Sequence, residues 1–465
     1  MAPGAKRRNT NEAGPSHDGL GVAAKQMRQD AVDEQNADVA QQQAAPQGDA
    51  DKWSAMRLRC SSKTMRDEAA LQDFLATLAE APQLAALELS LGNRPGTRTA
   101  LLQVLVALHT ATPRIKELVL TFGEASLDSV IALLGRVRGH LEKLVVSAPY
   151  QHAAYDAPGA LQRFWTALEE TGLTTLELPG YCLNLQGSTK VKLVPAKWRL
   201  QSLSVTFGPP CTKRTLLPAL IRANAKSLRK AKVGGVSMHP TDLAAAFTAL
   251  AACKGLVDAT VPCCKSVAVL EGCAELTKID FTAAHLLMAG TAGEDVRAVA
   301  KVLAKPAVAE RVDDLTLTFF KFGVTKQLAQ GLYKSVRGMR KLKTLSVAFC
   351  TGFPSAFKNI LKSQPLLEHL HLDDGDEPAW QPRVLADITP ANAPCLKSVR
   401  LHPGLLSEQG KLQDAARAIE QRFAAAGRPV EVVLGKRNVD RPDDSSDEED
   451  DDEEGAAPNP GCAIA

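Results

Sequence analysis

One spacing, apolar-x-x-apolar-x-apolar, constrains this chain more than any other feature, and Ile115-Lys116-Glu117-Leu118-Val119-Leu120 shows it plainly. The same spacing occurs at Leu84/Leu87/Leu89, Leu141/Leu144/Val146, Leu173/Leu176/Leu178, Leu200/Leu203/Val205, Val312/Leu315/Leu317, Leu342/Leu345/Val347, Leu367/Leu370/Leu372 and Leu396/Val399/Leu401. Looser copies sit at Leu228/Ala231/Val233, Leu256/Ala259/Val261 and Leu276/Ile279/Phe281. Side chains alternate across a strand, so the last two apolar residues of each copy share one face and the x residues take the other. Copies begin roughly 29 residues apart between Leu84 and Val430, a period that marks stacked repeats. Between copies the apolar period becomes helical, as in Leu101, Leu102, Leu105 and Leu108, or Leu127, Val130, Ile131 and Leu134. Asp242, Leu243, Ala246, Phe247 and Leu250 continue it, as do Val296, Val299, Ala300 and Leu303. Each unit therefore predicts strand, turn, helix and return loop, and stacked units predict an α/β solenoid, a horseshoe with a concave parallel sheet and convex helices. No unit stands alone, because a buried Leu gains roughly 1.5–3 kcal/mol only when a neighbour covers it.

Trp53/Met56/Leu58 fits the spacing one repeat upstream, so the solenoid is expected over 51–435 with about 13–14 repeats. Residues 1–50, rich in Gln, Ala, Asn, Asp and Gly, are expected to be a disordered N-terminal segment. Residues 436–465 read as a disordered acidic tail. From Leu256 to Leu276 the spacing shortens, leaving no room for a full helix between Lys265 and Cys273, and a longer crossover follows. Only 5% of residues are aromatic, so packing must be aliphatic. The formal charge of +3 conceals an asymmetry: Asp440–Glu454 holds eleven acids and one Arg, a net of −10, which leaves +13 elsewhere. Such a tail either solubilises, folds back on the basic body, or leaves that body for an acidic partner. Ten cysteines without regular spacing suit reduced thiols. With no signal-peptide pattern and no membrane-length apolar run, an intracellular, cytoplasmic protein is expected. Lys6-Arg7-Arg8 leaves nuclear placement as an alternative.

From Trp53 to about Leu434 the sequence resembles the leucine-rich-repeat superfamily, in particular its ribonuclease-inhibitor-like and cysteine-containing types with long helical repeats. The family pattern places Asn or Cys after the strand. Cys264 and Cys350 occupy that position here, whereas Gly92, Gly123, Pro149, Tyr181, Gly208, Gly375 and Gly404 depart from it. The cysteine-containing type is similar to the substrate-binding half of F-box proteins. That resemblance implies a substrate-recognition adaptor of an SCF-type ubiquitin ligase, partnered by a Skp1-type linker, provided an F-box-like segment precedes the repeats. Residues 1–52 show neither its Leu-Pro start nor a compact helical core. The Ran GTPase-activating protein also joins long repeats to an acidic tail, but its Asn-rich repeats and Arg-bearing loop have no counterpart here.

No phosphate-binding Gly-rich loop, HExxH, GxSxG or kinase motif set occurs, so a non-enzyme without cofactor or metal is expected. The expected function is a monomeric, non-catalytic scaffold that binds a protein partner on the concave face. The x residues of that face include Lys116, Glu117, Lys143, Glu177, Arg229, Lys230, Lys232, Asp314, Lys343, His369, His371, Arg400 and His402. Arg229, Lys230 and Lys232 are read as one strand's basic cluster, either solvated or facing an acidic segment. His369, His371, Asp373 and His402 are zinc-ligand types, but Arg400 among them opposes a cation, which favours a pH-sensitive recognition patch. The scarcity of aromatics argues against specific nucleic-acid binding. In the tail, Ser445 and Ser446 precede acids and resemble acidophilic-kinase sites. Cys462-Ala463-Ile464-Ala465 matches a C-a-a-X prenylation box, and a prenyl group would give weak, reversible membrane association.

Overall fold

In the computed structural model each apolar triplet from Leu84/Leu87/Leu89 to Leu396/Val399/Leu401 is buried, its last two residues on a short strand, while Leu58 is half-buried and Trp53 and Met56 lie outside the described residues. The structure describes residues 57–435 except 62, 82–83, 92–96, 112–113, 123–126, 148–158, 182–190, 208–215, 236–239, 283–291, 319–325, 349–352, 374–381 and 404–408. The chain divides into Met1–Ser54 and Ala55–Ala465, and every described residue belongs to the second unit. Strand and helix alternate: β1 (Arg57–Cys60), α1 (Glu68–Ala79), β2 (Ala86–Leu91), α2 (Thr97–Ala111), β3 (Glu117–Phe122), α3 (Leu127–Val137), β4 (Lys143–Ser147), α4 (Ala160–Glu169) and β5 (Thr175–Tyr181). A 3-10 turn (Pro195–Lys197) leads to β6 (Ser202–Phe207), α5 (Leu217–Ala223), β7 (Lys230–Gly235), α6 (Pro240–Ala251) and β8 (Asp258–Pro262). A 3-10 helix (Lys265–Gly272) then precedes β9 (Lys278–Thr282), α7 (Ala292–Leu303), α8 (Pro306–Ala309) and β10 (Asp314–Thr318). The remainder is α9 (Lys326–Gly338), β11 (Thr344–Ala348), α10 (Phe353–Ser363), β12 (His369–Asp373), α11 (Pro382–Leu385), β13 (Ser398–His402), α12 (Gln409–Ala425) and β14 (Glu431–Leu434).

All fourteen strands form one parallel sheet in chain order. Register follows the apolar spacing: Leu58, Leu87, Leu118 and Leu144 align across β1 to β4, and Leu315, Leu345, Leu370 and Val399 across β10 to β13. Leu118, Leu144, Leu315, Leu345, Leu370 and Val399 have no solvent exposure. A one-residue slip would move every one of these to the other face, so burial specifies the register.

A second ladder precedes the strands. The Ala85 carbonyl accepts from both Lys116 and Glu117 N–H at 2.8 and 3.0 Å, the Lys116 carbonyl from Glu142 and Lys143 at 2.8 Å each, and the Asp313 carbonyl from Lys343 and Thr344 at 2.7 and 2.9 Å. Two consecutive donors on one carbonyl bend the chain at that point. The residue before each of β3, β4 and β11 therefore falls outside the strand's alternation.

The helices bury one stripe each. α2 buries Leu101, Val104 and Leu108, whereas Leu102, expected in the same stripe, is 52% exposed; neighbours in a helix lie about 100° apart and a single stripe cannot hold both. Where the spacing before Leu276 is short no full α-helix forms, and Val267 and Leu270 of the 3-10 helix fill that layer instead. The next crossover is long enough for both α7 and α8. Before β6, Trp198 packs on Trp165 at 6.0 Å, and its indole N–H donates to the buried Glu169 carboxylate at 2.9 Å. Buried amides join layers: Leu200 N–H donates to Asn224 Oδ1 at 2.7 Å, and Gln364 Nε2 donates to the Val336 carbonyl at 2.7 Å. α12 ends in a Schellman turn, with Arg428 N–H on the Phe423 carbonyl and Gly427 N–H on that of Ala424, and Gly427 at φ 71° supplies the left-handed residue it needs.

Among the described residues no helix is long and apolar enough to cross a membrane. Residues 1–56 and 436–465, with the F-box-like segment, Ser445, Ser446, Cys462 and the disorder expected there, lie outside the described residues.

Candidate interaction face of the sheet

The outward residues of consecutive strands fall into rows because the register is unbroken from β1 to β4. Glu117 of β3 lies opposite Ala86 and Lys143, and Lys143 opposite Thr175. Charges of opposite sign meet along these rows. Glu117 pairs with Arg57 at 2.9 Å and Lys143 at 3.3 Å, Lys143 also reaches Glu177 at 3.2 Å, and Arg59 reaches Glu88 at 3.1 Å. Burial depresses the Lys143 ammonium, but Glu177 and Glu117 together outweigh it and hold the group above the ordinary lysine value. These half-exposed pairs add little stability. Their effect is to hold long side chains in place on the surface.

The centre of the face is more crowded. Asp258, Lys278 and Asp314 align across β8 to β10, while Lys232, Thr260, Asp280 and Thr316 form the next row. Lys278 pairs with Asp314 at 3.1 Å. Asp280 Oδ1 is buried with no hydrogen-bond partner. Burial, only partly offset by Lys232 and Lys278, pushes the Asp280 carboxyl up to about 6, and burial also raises Asp258.

Of the residues expected on this face, Glu117, Lys143, Glu177, Lys230, Lys232, Asp314, His369, His371, Arg400 and His402 stand on strands. Lys116, Arg229 and Lys343 do not, because the strands begin one residue later, after the doubly bonded carbonyls. Lys116 pairs with Glu142 at 3.2 Å along the sheet's margin. Arg229 turns away from Lys230 and Lys232 to donate to the Gly255 carbonyl at 3.0 Å and Glu275 at 2.6 Å, so the three-residue basic cluster is divided. Arg59, Asp258, Lys278 and Asp280 complete the charged rows; their own repeats place them at x positions, but only the register shows their partners.

His371 lies opposite Arg400, and Asp373 opposite His402, as the spacing predicts. The imidazoles bond to opposite sides: His371 Nδ1 with Ser346 Oγ on β11 at 3.0 Å, and His369 Nδ1 with Ser398 Oγ on β13 at 2.8 Å. Among the described residues no group of three or more His, Cys, Asp or Glu is arranged to hold a metal ion. Burial first, then Arg400 and His369, lowers the His371 pKa. The fold thus prefers the neutral ring: this group's contribution is fully present above about pH 6.5, the unfolded value, and is lost as pH falls toward the folded value. His371→Gln should therefore flatten the fall in urea-unfolding free energy between about pH 7 and pH 5. An unchanged slope would remove His371 as a source of that fall.

No protein-family model matches the chain, and no curated protein matches it. Among solved structures it is similar to the leucine-rich repeat-containing protein LegL7 from Legionella pneumophila, at 12% identity over 82% of this chain and 90% of that one, TM-score 0.34. It is also similar to the TLR13 chain of a TLR13-ssRNA13 complex, at 12% identity over 84% of this chain and 53% of that one, about half its length, TM-score 0.33. The deciding observation is internal: one strand per repeat, all parallel and in chain order, with the apolar triplets buried. The fold is a leucine-rich-repeat solenoid. Cys264 occupies the post-strand position and is buried, with its thiol pushed up to about 11 by burial against opposing backbone hydrogen bonds from Ser266 and Val267. Cys350, at the same point of another repeat, lies outside the described residues.

Proposed function

We propose that the chain is a non-catalytic scaffold whose outward sheet face docks a protein partner. The observation that carries this reading is the set of registered rows in which charges of both signs are paired with each other and remain partly exposed. A surface of this kind offers a partner fixed positions for both carboxylates and cations, which favours specificity over raw affinity. The outward positions in register on β3, β4, β6 to β9, β11 and β12 hold Thr, Ser, Val, Lys, Asp, Glu and His with Ala, Gly and Pro, and no aromatic ring other than histidine stands among these described positions, which suits a polypeptide better than stacked nucleobases. A photocrosslinking residue placed at Thr260 or Thr316 should capture one defined protein in cells, while the same residue at Gln72 or Gln103 on the exposed sides of α1 and α2 should not. Capture from the helix positions alone, or from none, would overturn the reading.

A further inference from the structure

Charge is unevenly spread over the helix layer. α1 carries Glu68 and Asp73 and no basic residue, whereas α9 carries Lys326, Lys334 and Arg337, and α10 Lys358 and Lys362, with no acid in either. α7, which packs beside α9, presents Arg297 and Lys301 one turn apart, and both line two grooves of about 550 and 370 Å³ that flank it. The other charges of the larger groove are engaged: Lys265 pairs with Glu294, and Lys305 with Glu271 at 3.4 Å. Lys301, Lys334, Arg337 and Lys362 are exposed and make no hydrogen bond or ion pair among the described residues. Helix dipoles account for some basic residues in last turns, but they supply no counter-charge for a surface spanning three neighbouring helices.

We propose that this basic surface, from α7 across α9 to α10, is the docking site for the chain's own acidic segment, Asp440–Glu454. Charge complementarity is the first reason: eleven of the segment's residues are acids. The second is reach. The last strand ends at Leu434, and neighbouring helices pack about 8–10 Å apart, so α12 to α9 is roughly 30 Å. Residues 435–442, extended at about 3.3–3.6 Å each, nearly cover that distance, and the acidic run that follows spans the rest. The third reason decides between two basic surfaces. Lys230 and Lys232 on the sheet face lie within electrostatic reach of Asp258 and Asp280, whereas α9 and α10 contain no acids of their own and, of the cations described there, Lys358 alone is paired, with Asp387 at 3.5 Å. The proposal concerns the helix side and does not depend on how the sheet face is used.

Zero-length carbodiimide crosslinking of the full chain, read by mass spectrometry, tests it, because an amide forms only where a tail carboxylate touches a lysine amine. Expected are crosslinks from Asp443–Glu454 to Lys301, Lys334 and Lys362, lost when salt is raised to about 1 M, where screening shortens to about 3 Å. Crosslinks mainly to Lys230 and Lys232, spread evenly over all lysines, or absent, would each overturn the proposal. A fluorescent peptide of residues 440–454 supplies the second measurement. It should bind a chain truncated after Gly435 about tenfold or more tightly than the full chain, whose tethered tail competes at millimolar effective concentration. Lys301→Glu with Lys334→Glu and Lys362→Glu, all at exposed positions, should abolish that binding while leaving the far-ultraviolet spectrum unchanged. Equal affinity for full and truncated chains, or undiminished binding to the charge-reversed variant, would count against the site.

Discussion

Leu118→Asp should lower the unfolding free energy by at least about 4 kcal/mol, the largest loss expected from a single strand position. Leu118 is fully buried on β3, in register with Leu87 on one side and Leu144 on the other. Truncating such a leucine alone costs about 2–5 kcal/mol, and a carboxyl placed among Leu side chains adds the cost of an unsatisfied polar group. Urea unfolding followed by circular dichroism measures this, with Val119→Thr as the matched control. Val119 faces outward and is only partly buried, so its replacement should stay within about 0.5 kcal/mol. A comparable loss at Val119 would mean that the register on β3 is inverted.

Asp280→Asn should do the opposite and stabilise the chain, by about 1–3 kcal/mol near neutral pH. The Asp280 carboxyl is pushed from 3.8 up to about 6, first by burial and then by Asp258 and Asp314, against the pull of Lys232 and Lys278. A folded value above the unfolded one means that the fold penalises the ionised form, so stability falls as pH rises from about 4 to 6 and the full penalty persists above that range. At about 1.4 kcal/mol per unit the penalty approaches 3 kcal/mol, and partial exposure reduces it. The gain from Asn should therefore vanish toward pH 4. Urea midpoints of both proteins at about pH 7.5 and pH 4 decide the matter: an Asn variant that is less stable at the higher pH would show Asp280 to be paired rather than stranded. Because the group stands on the proposed docking face, such a cost also fits a surface kept for recognition at the expense of stability.

Much of the fold could be read from single repeats. The triplet Leu342/Leu345/Val347 predicts a strand, its inward face and its register with Leu367/Leu370/Leu372, because alternation and burial are properties of a few consecutive residues. The same holds for Lys265–Gly272, where too few residues separate two strands for a full α-helix to form. The histidine rows were legible for the same reason, since His371 and Arg400 occupy one position of adjacent repeats.

Charge pairing could not be read this way. Arg57, Glu117 and Lys143 come from different repeats separated by crossovers of unequal length, and their contacts exist only once the strands are in register. Lys116, Arg229 and Lys343 stand two residues before the buried Leu118, Ala231 and Leu345, so alternation already sets them apart from the outward positions, and a carbonyl of the preceding repeat that accepts two successive N–H groups keeps them off the strands. Periodic apolar residues thus settle which side chains turn inward, since burial rewards each repeat in the same way. Which carboxylate meets which cation, and that Asp280 Oδ1 has no hydrogen-bond partner, is decided only by the stacking of repeats, because electrostatic energy depends on distances between residues far apart in the chain.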